Sequence, residues 1–258
     1  MIAESAESLR KRLEGRVAIV SGAGQGIGRA LALGFAREGA WVVIAEIDEG
    51  NALRIESELQ ASRLRGLAIP TDVSREASVN AMAQRCVDEF GTIDILVNNA
   101  GIYPVSTVEE MAEEQWDRVI GTNLVGAFLC SRAVVPEMLR RRRGRIINVS
   151  SGRGFQGAAN GAHYAATKAG LIGFTKALAL ELAPHGITVN ALCPGITDTA
   201  QPRGHRTEEE LYARAKDIPL GRIGQPEDHV EPAVFLASDA ARFITGQALS
   251  VNGGSLMW

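Results

Sequence analysis

Residues 17–36 read VAIVSGAGQGIGRALALGFA, an apolar run that passes through a glycine-rich loop into a helical segment. The apolar, largely β-branched run is typical of a strand buried in a parallel sheet. Glycines let backbone amides approach a pyrophosphate, and the N-terminus of the following helix supplies partial positive charge. A glycine cluster alone would indicate only a tight turn, but the order strand, loop, helix predicts a dinucleotide site. The residues expected to line that site are Gly22, Gln25, Gly26, Ile27 and Gly28.

The rest of the chain repeats this alternation of apolar runs and helical segments. Strands are predicted at residues 17–20, 41–45, 66–70, 94–97, 145–149, 187–192 and 247–251, and helices near 49–63, 75–90, 113–142, 162–183 and 227–238. The alternation predicts an α/β fold, a doubly wound parallel sheet of about seven strands with helices on both faces. Because it is unbroken, we expect a single domain over residues 15–258, preceded by a tail or lead-in helix at residues 1–14.

Polar and glycine-containing motifs follow the predicted strands directly. In open α/β sheets, ligands bind beyond the carboxyl ends of the strands, so residues that follow different strands converge on one cleft. We therefore expect a single cleft to contain the glycine loop, Glu46, Asp72-Val73, Asn99-Ala100-Gly101, Ser151 and Pro194-Gly195.

Glu46, at the end of the second predicted strand, bears on which dinucleotide binds. An acidic side chain there accepts hydrogen bonds from the adenosine ribose hydroxyls, and it repels a 2′-phosphate. Gln25 offers that phosphate no positive charge. These residues favour NAD over NADP as the cofactor. The alternative is that Glu46 is only solvated and that Asp48 or Arg29 sets the preference.

Tyr164 and Lys168 are four residues apart in a predicted helix, and Ser151 lies thirteen residues upstream of the tyrosine. Residues at i and i+4 share one face of a helix. A nearby cation favours tyrosinate, so the phenol pKa of about 10 should fall. A phenol with a lowered pKa can give or take a proton near neutral pH. Taken alone, this pair could be accidental on a surface helix.

Together these motifs resemble the short-chain dehydrogenase/reductase family over nearly the whole chain. The matching residues are Gly22-x-x-x-Gly26-x-Gly28, Asp72-Val73, Asn98-Asn99-Ala100-Gly101, Asn123, Ser151, Tyr164-x-x-x-Lys168 and Pro194-Gly195. The resemblance implies a Rossmann-type fold and an NAD(P)-dependent oxidoreductase that acts on alcohols or carbonyls. It also implies a homotetramer that uses the helices near 113–142 and 162–183 and the C-terminal segment.

The resemblance further implies catalytic roles for four residues. Tyr164 would exchange a proton with the substrate oxygen, and Lys168 would lower the tyrosine pKa and bind the nicotinamide ribose. Ser151 would hydrogen-bond the substrate oxygen and orient it. Asn123 would bend a helix and hold a water molecule that links the lysine to solvent.

Cofactor contacts are implied in the same way. Asp72 resembles the family's adenine-contacting aspartate, although it could instead cap a helix that starts near Ser74. The other residues implied to contact the cofactor are Val73, Asn99, Ala100, Gly101, Pro194, Gly195 and Thr199.

The substrate side carries weaker signals. Residues 197–225 are polar and charged, and in this fold they would hang over the cleft as a lid. Tyr103, Arg153 and Gln156 are placed to line the pocket, and Arg153 could hold an anionic or polyhydroxy substrate. His163 precedes the tyrosine, and since successive helix residues diverge by about 100°, we expect it to pack or face solvent.

Composition narrows the range of partners. The 258 residues are 46% hydrophobic with a formal net charge of −3, which gives no general attraction to nucleic acid or to an anionic membrane. Three widely spaced cysteines without a C-x-x-C pattern indicate reduced thiols in a cytoplasmic protein. No apolar run approaches the ~20 residues of a membrane-spanning helix, and no metal site is predicted.

The basic run Arg140–Arg145 closes a predicted helix, where cations suit the helix dipole. Because no aromatic residues interleave it and the whole chain is acidic, it does not predict nucleic acid binding. A docking patch for an acidic acyl carrier is the alternative.

Three functions remain open, and the favoured one is oxidation of a small secondary alcohol, polyol or sugar, or reduction of the corresponding ketone. A rival within the same family is a 3-oxoacyl-carrier-protein reductase. The predicted NAD preference and His185, where such reductases often carry an arginine, stand against it. A rival of another class is a non-catalytic dinucleotide-binding regulator, which the intact Asn123, Ser151, Tyr164 and Lys168 disfavour.

Overall fold

Seven parallel strands form the centre of the protein, which a computed structural model describes over residues 11–257. They are β1 (Val17–Ser21), β2 (Trp41–Glu46), β3 (Gly66–Pro70), β4 (Ile95–Asn98), β5 (Gly144–Val149), β6 (Ile187–Pro194) and β7 (Ala248–Val251). Their order in the sheet is β3-β2-β1-β4-β5-β6-β7. The direction of winding reverses between β1 and β4, and in sheets of this kind the ligand crevice opens beyond the carboxyl ends of the strands at that point.

The pairing register sets the level at which each strand leaves the sheet. Val20 of β1 pairs with Ile44 of β2 and with Val97 of β4. The segments that follow these three strands therefore start side by side, which brings residues far apart in sequence to one edge of the sheet.

Helices cover both faces of the sheet. They are α1 (Gly26–Arg37), α2 (Glu49–Ala61), α3 (Glu76–Phe90), α4 (Glu113–Ile120), α5 (Gly126–Arg141), α6 (Arg153–Gln156), α7 (Ala162–Leu182), α8 (Ala200–Arg203), α9 (Glu208–Ala213) and α10 (Val230–Ala237). Strand side chains alternate between faces, so Ala18 and Val20 pack with α1, α2 and α10, whereas Val17 and Ile19 pack with α3, α5 and α7. Burial of both faces explains why the strands are continuous apolar runs.

The predicted fold class is confirmed, and every predicted strand is present with ends that shift by at most two residues. Two helices differ from the prediction. A π-helical turn, Gly121–Val125, interrupts the helix predicted over 113–142, and the helix predicted at 227–238 opens as a 3₁₀ turn, Pro226–His229. A π turn leaves the apolar pattern of the sequence nearly unchanged, which explains why periodicity did not reveal it.

The N-terminal segment differs from the predicted tail or helix in the part that the structure describes, while residues 1–10 lie outside the described range. In the turn that begins the described chain, the Leu13 side chain is fully buried and its N–H donates to the Glu38 carbonyl at 2.9 Å. Arg12 bridges Glu38 and Glu231, each at 2.8 Å. One buried leucine among charged neighbours is too weak a pattern to predict this docking.

The lid, residues 197–225, leaves and re-enters the fold at one point. Thr197 and Gly224 pair as an isolated parallel bridge, in which Asp198 N–H donates to the Gly224 carbonyl at 2.9 Å. Between these ends lie α8, α9 and a 3₁₀ turn, Arg214–Asp217. A small apolar cluster of Leu211, Ile218 and Ile223 holds the lid together.

The composite helix Glu113–Arg141 is, within residues 11–257, the one segment long and apolar enough to cross a membrane by length and composition. Its α5 part packs against α3, β4 and β5. It therefore occupies the position of a core helix in this fold.

The basic run at the end of α5 lies at the edge of the sheet opposite the carboxyl ends, because β5 starts at Gly144. Arg140 pairs with Glu137 at 2.7 Å, and Arg145 pairs with Asp239 at 3.2 Å. Local carboxylates thus neutralise part of the run, and it does not border the cleft of its own chain.

Candidate active site

One cleft runs along the carboxyl ends of the strands, with a volume of about 1140 Å³. That volume suits a dinucleotide together with a small substrate, since pockets for a single drug-sized ligand span about 300–1,000 Å³. The structure brings into it the predicted residues Gly22, Gln25, Gly26, Ile27, Gly28, Glu46, Asp72, Val73, Asn99, Ala100, Gly101, Tyr103, Ser151, Arg153, Gln156, Tyr164, Lys168, Pro194, Gly195 and Thr199. Asn123 is the predicted site residue that lies behind the cleft wall.

The loop between β1 and α1 forms a cradle whose shape depends on two glycines that leave no room for a Cβ. Gly22 has φ +63°, and a Cβ on it would lie 2.8 Å from Ala100 Cα. A Cβ on Gly28 would lie 2.1 Å from the Gly22 carbonyl oxygen. The first N–H groups of α1 have no partner within the helix and carry its positive dipole end. This donor set fits a pyrophosphate, and these residues would therefore hold a dinucleotide.

Asn98 and Asn99 are neighbours with different positions. Asn98 is buried in the structure, and Asn99 lines the cleft. Asn98 donates to Asn148 Oδ1 at 2.8 Å and to Ser131 Oγ at 3.1 Å. Asn99 donates to the Ser21 and Gly22 carbonyls at 2.9 and 3.0 Å. It therefore fixes the glycine loop from the neighbouring strand end.

Glu46 lies in the cleft at the end of β2 and is held in place by backbone amides. Its carboxylate accepts from Gly24 N–H and from Ile47 N–H, both at 2.9 Å. The alternatives for cofactor preference lie elsewhere, since Arg29 pairs with Glu58 and Asp48 caps α2 by accepting from Asn51 N–H at 2.8 Å. Neither Arg29 nor Asp48 lines the cleft.

Asp72 lies in the cleft wall after β3 and does not cap α3, which begins at Glu76 with Arg75 in the capping position. Its Oδ1 accepts from Ser74 N–H at 3.0 Å and from Ser74 Oγ at 2.6 Å. The carboxylate therefore closes a short turn while its other oxygen remains available to a ligand.

Tyr164 and Lys168 project from the first turns of α7 toward Ser151, which follows β5. The Lys168 ammonium lies 5.4 Å from the centre of the Tyr164 ring and donates to the Val149 carbonyl at 2.7 Å. Ser151 hydrogen-bonds the phenol oxygen of Tyr164. Both α7 side chains are buried, so their charged forms depend on the partners that the site supplies.

The protonation states differ from the sequence-based expectation for Tyr164. Burial raises the pKa of Tyr164, and the hydrogen bond from Ser151 lowers it only in part. Burial also lowers the pKa of Lys168 to about 8. The prediction that Lys168 lowers the tyrosine pKa is therefore not met by these two residues, because the same low-dielectric site disfavours both charges and the Lys168 ammonium donates to the Val149 carbonyl.

Asn123 occupies the π turn between α4 and α5, and its side chain hydrogen-bonds the backbone beside the cleft. Its Oδ1 accepts from Ile102 N–H at 2.8 Å, and its Nδ2 donates to the Ile102 carbonyl at 3.0 Å. Nδ2 also lies 3.3 Å from Thr167 Oγ1 on α7. The residue thus ties the loop after β4 to the helix that carries the tyrosine.

Tyr103 covers one face of the Tyr164 phenol. The Tyr103 and Tyr164 rings stack with centroids 4.2 Å apart and planes 20° apart. A Cβ on Gly161 would lie 2.6 Å from the Tyr103 hydroxyl, so this glycine leaves the room that the stack requires.

The lid supplies site residues that sequence reasoning missed. Gln201 on α8 hydrogen-bonds the Tyr164 oxygen, and His205 Nε2 lies 2.6 Å from the Tyr103 carbonyl oxygen. The polar composition of the segment was the only available signal, because no periodicity indicates which lid side chains turn inward.

Asp198, which the sequence left without a role, anchors the lid. It pairs with Arg203, whose Nη2 is 2.9 Å from Oδ2, and it accepts from the Tyr212 hydroxyl at 2.7 Å. The hydrogen bond from Arg203 holds the pKa of Asp198 below its usual value.

His163 is buried, so it packs inside the protein, which is one of the two expected alternatives, and does not face solvent. Its Nδ1 accepts from Tyr164 N–H at 2.7 Å, and its Nε2 lies 3.2 Å from Gln115. Burial lowers the pKa of His163. The ring therefore supports α7 structurally and does not face the cleft.

Comparisons with known proteins identify the family of this chain. A family model described as enoyl-(acyl carrier protein) reductase matches residues 22–255. The 3-oxoacyl-[acyl-carrier-protein] reductase of Staphylococcus aureus (strain N315) is 44% identical over 243 residues, which are 93% of this chain and 98% of that protein. The protein of the same name from Vibrio cholerae is 43% identical over 245 residues, 95% of this chain and 99% of that protein.

Solved structures give the same result. A protein from Beutenbergia cavernae, provisionally assigned as an NAD(P)-dependent gluconate 5-dehydrogenase and containing NADP at low occupancy, is 40% identical, with a TM-score of 0.90 over 95% of this chain and 98% of that one. A provisionally assigned short-chain alcohol dehydrogenase from Sinorhizobium meliloti is 36% identical, with a TM-score of 0.91 over 95% and 98% of the two chains. The chain therefore belongs to the short-chain dehydrogenase/reductase family.

Proposed function

We propose that the protein catalyses reversible hydride transfer between a nicotinamide dinucleotide and a secondary alcohol or its ketone. The observation that carries this proposal is the convergence of Ser151, Tyr164 and Lys168 on the cleft that contains the glycine cradle. The cofactor supplies the hydride donor or acceptor and, when oxidised, a positive ring that favours tyrosinate.

The chain's own residues handle the substrate oxygen and its proton. Ser151 donates a hydrogen bond to that oxygen, and Tyr164 gives it a proton in reduction or removes one in oxidation. Lys168, with a pKa of about 8, is partly neutral at mildly alkaline pH and can pass a proton toward the site. The proposed water next to Asn123 would connect this lysine to solvent.

For the cofactor we propose NAD. Glu46 is held by three backbone hydrogen bonds at the end of β2, where a 2′-phosphate would meet its charge. The NADP in the Beutenbergia cavernae structure supports the opposite choice. The ratio of kcat/KM for NAD to kcat/KM for NADP, measured under the same conditions, decides between the two cofactors.

Two substrate classes have support. A polar substrate, such as a polyol, sugar or sugar acid, is supported by Gln156, Gln201 and Arg153 in or beside the pocket and by the assignment of the Beutenbergia cavernae protein. A 3-oxoacyl-carrier-protein substrate is supported by the names of relatives at 42–44% identity. We take the polar substrate as the main proposal because the lid turns polar side chains onto Tyr164.

We further propose a homotetramer in the cytoplasm. Apolar side chains remain exposed on the two long helices and near the C-terminus, among them Phe128, Leu180 and Phe243. Cys86, Cys130 and Cys193 are free and buried, as suits a reducing compartment. Light scattering that gave a monomer mass at micromolar concentration would overturn the assembly.

The experiment follows absorbance at 340 nm with NAD⁺ and NADP⁺ against secondary alcohols, polyols and sugar acids, and with NADH and NADPH against acetoacetyl thioesters. Turnover of the polar panel supports the main proposal, whereas turnover of the thioesters alone supports the carrier-protein reductase. Tyr164→Phe should lose activity by about 100-fold or more while still binding NADH. An active Tyr164→Phe variant would refute the acid–base role.

A further inference from the structure

The arginines of the lid are paired with carboxylates, with one exception. Three of its four arginines bind aspartates, namely Arg203 to Asp198, Arg214 to Asp217 and Arg222 to Asp228. The fourth is Arg206, which lines the cleft and has no ion pair or hydrogen bond within the described residues.

Arg206 is held at the cleft by the residues on either side of it. His205 binds the Tyr103 carbonyl at 2.6 Å, and Thr207 starts α9 in a reciprocal capping arrangement with Glu210. Its half-buried side chain therefore extends from a backbone that is fixed over the pocket.

Arg153 is the second half-buried arginine of the cleft that lacks a carboxylate partner among residues 11–257. It follows Ser151 by two residues, and its N–H donates to Ser151 Oγ at 3.2 Å. Its guanidinium makes one long contact, 3.5 Å, to the Gly157 carbonyl. A third unpaired arginine, Arg118 on α4, is exposed and so costs little to leave without a partner.

The carboxylates that line the cleft cannot neutralise these two guanidinium groups. Glu46 is bound to backbone amides, Asp72 to Ser74, and Asp217 to Arg214. A half-buried charge without a partner is unfavourable, and guanidinium groups bind carboxylates with paired, charge-assisted hydrogen bonds.

We propose that Arg153 and Arg206 bind a carboxylate of the substrate, so that the enzyme acts on a small hydroxy acid and its oxo acid. This inference rests on the proposed function, because it assigns a substrate to the same cleft. Arg153 lines the cleft two residues after Ser151 and its charge acts on the Tyr164 phenol, so a carboxylate bound to it would lie near the reacting carbon. A phosphate carried on a long pantetheine arm would lie much farther from it.

The test compares acids with neutral analogues of the same carbon chain. Gluconate and glucitol form one pair, and 3-hydroxybutyrate and butane-1,3-diol form the other. Binding to the protein saturated with NADH is measured by calorimetry, and turnover with NAD⁺ and NADP⁺ at 340 nm. At least one acid should bind about 10- to 100-fold more tightly than its neutral analogue, as expected for charge-assisted hydrogen bonds.

Arg153→Gln and Arg206→Gln should each reduce that preference for the acid, with little change for the neutral analogue. Arg222→Gln is the matched control, because this lid arginine is paired with Asp228 and does not line the cleft. It should leave the preference unchanged. Affinity for NADH should be unchanged in all three variants.

Three binding results would overturn the carboxylate site. The first is equal binding of the acid and its neutral analogue in both pairs, and the second is an equal loss of affinity for both analogues in the variants. The third is an Arg206→Gln variant that loses affinity for NADH rather than for the acid. Efficient reduction of an acetoacetyl thioester without a free carboxylate, unaffected by both variants, would also overturn it. Preferential binding of an acid without any hydride transfer would instead leave the site standing and refute the proposed function.

Discussion

The two sides of the cleft are built by different means. On the cofactor side, the loop after β1 is shaped by backbone geometry, and Gly28 approaches the Gly22 carbonyl so closely that no side chain fits. On the substrate side, the lid is held by side-chain pairs such as Asp198 with Arg203. A backbone cradle tolerates almost no substitution, whereas a set of ion pairs can be exchanged one pair at a time.

The strictest test of the backbone cradle is Gly28→Ala. The added methyl would lie 2.1 Å from the Gly22 oxygen, so the loop must move and affinity for NADH should fall by about 100-fold. Fluorescence titration with NADH measures the loss. Gly173→Ala on α7 is the control, since nothing lies near that position and alanine should stabilise the helix by about 0.5–1 kcal/mol. A Gly28→Ala variant that binds NADH as tightly as the unsubstituted protein would contradict this difference between the two sides of the cleft.

Lys168→Met tests the buried ammonium group of Lys168, which lies in the cleft between the cofactor side and the substrate side. Activity should fall by about 100-fold, yet the folded protein should gain stability at neutral pH. A pKa lowered from 10.5 to about 8 corresponds to about 3 kcal/mol of destabilisation, of which the lost hydrogen bond to Val149 offsets about 1.

The sign of this effect depends on pH. The unfolded chain keeps a proton that folded Lys168 releases between pH 8 and 10.5, so wild-type stability rises with pH across this window. The advantage of the methionine variant should therefore be full below pH 8, vanish at about pH 10 and become a disadvantage of about 1 kcal/mol at higher pH, where only the loss of the hydrogen bond to Val149 remains. Urea unfolding of both proteins at matched concentration from pH 7 to 10 measures it, and a constant difference would contradict the burial of a charged lysine.

Glu46→Gln should shift the ratio of kcat/KM for NAD over NADP toward NADP by about 10-fold, because the charge that repels the 2′-phosphate is removed. Steady-state kinetics with both cofactors provide the measurement. Asp48→Asn serves as the control, since this residue caps α2 outside the cleft and asparagine also caps helices. An equal shift in both variants would show that the effect is indirect.

The smallest effect is expected at the lid anchor. Asp198→Asn loses the ion pair with Arg203, and since that pair is partly exposed, KM for substrate should rise only about 3-fold with little change in Tm. Glu209→Gln, exposed on α9, should change neither. A loss as large as that of Gly28→Ala would mean that the two sides are equally rigid.

The same contrast explains what could be predicted from sequence. Continuous apolar strands and the glycine spacing depend on local patterns, so the sheet and the loop between β1 and α1 could be predicted with accurate bounds. The π turn at Asn123, the raised pKa of Tyr164 and the inward positions of Gln201 and His205 depend on packing between distant segments. No local pattern in the sequence encodes these contacts, so the sequence predicts a polar lid but not which of its side chains line the cleft.

The bridge between Thr197 and Gly224 has an evolutionary consequence. Because both ends of the lid meet at one point, the segment between them can be lengthened, shortened or replaced without displacing a strand, and longer loops add little closure entropy. The lid is thus a segment that can be exchanged while the sheet and the loop between β1 and α1 stay in place. Grafting the corresponding segment of a relative between these two residues is a direct route to a new substrate range.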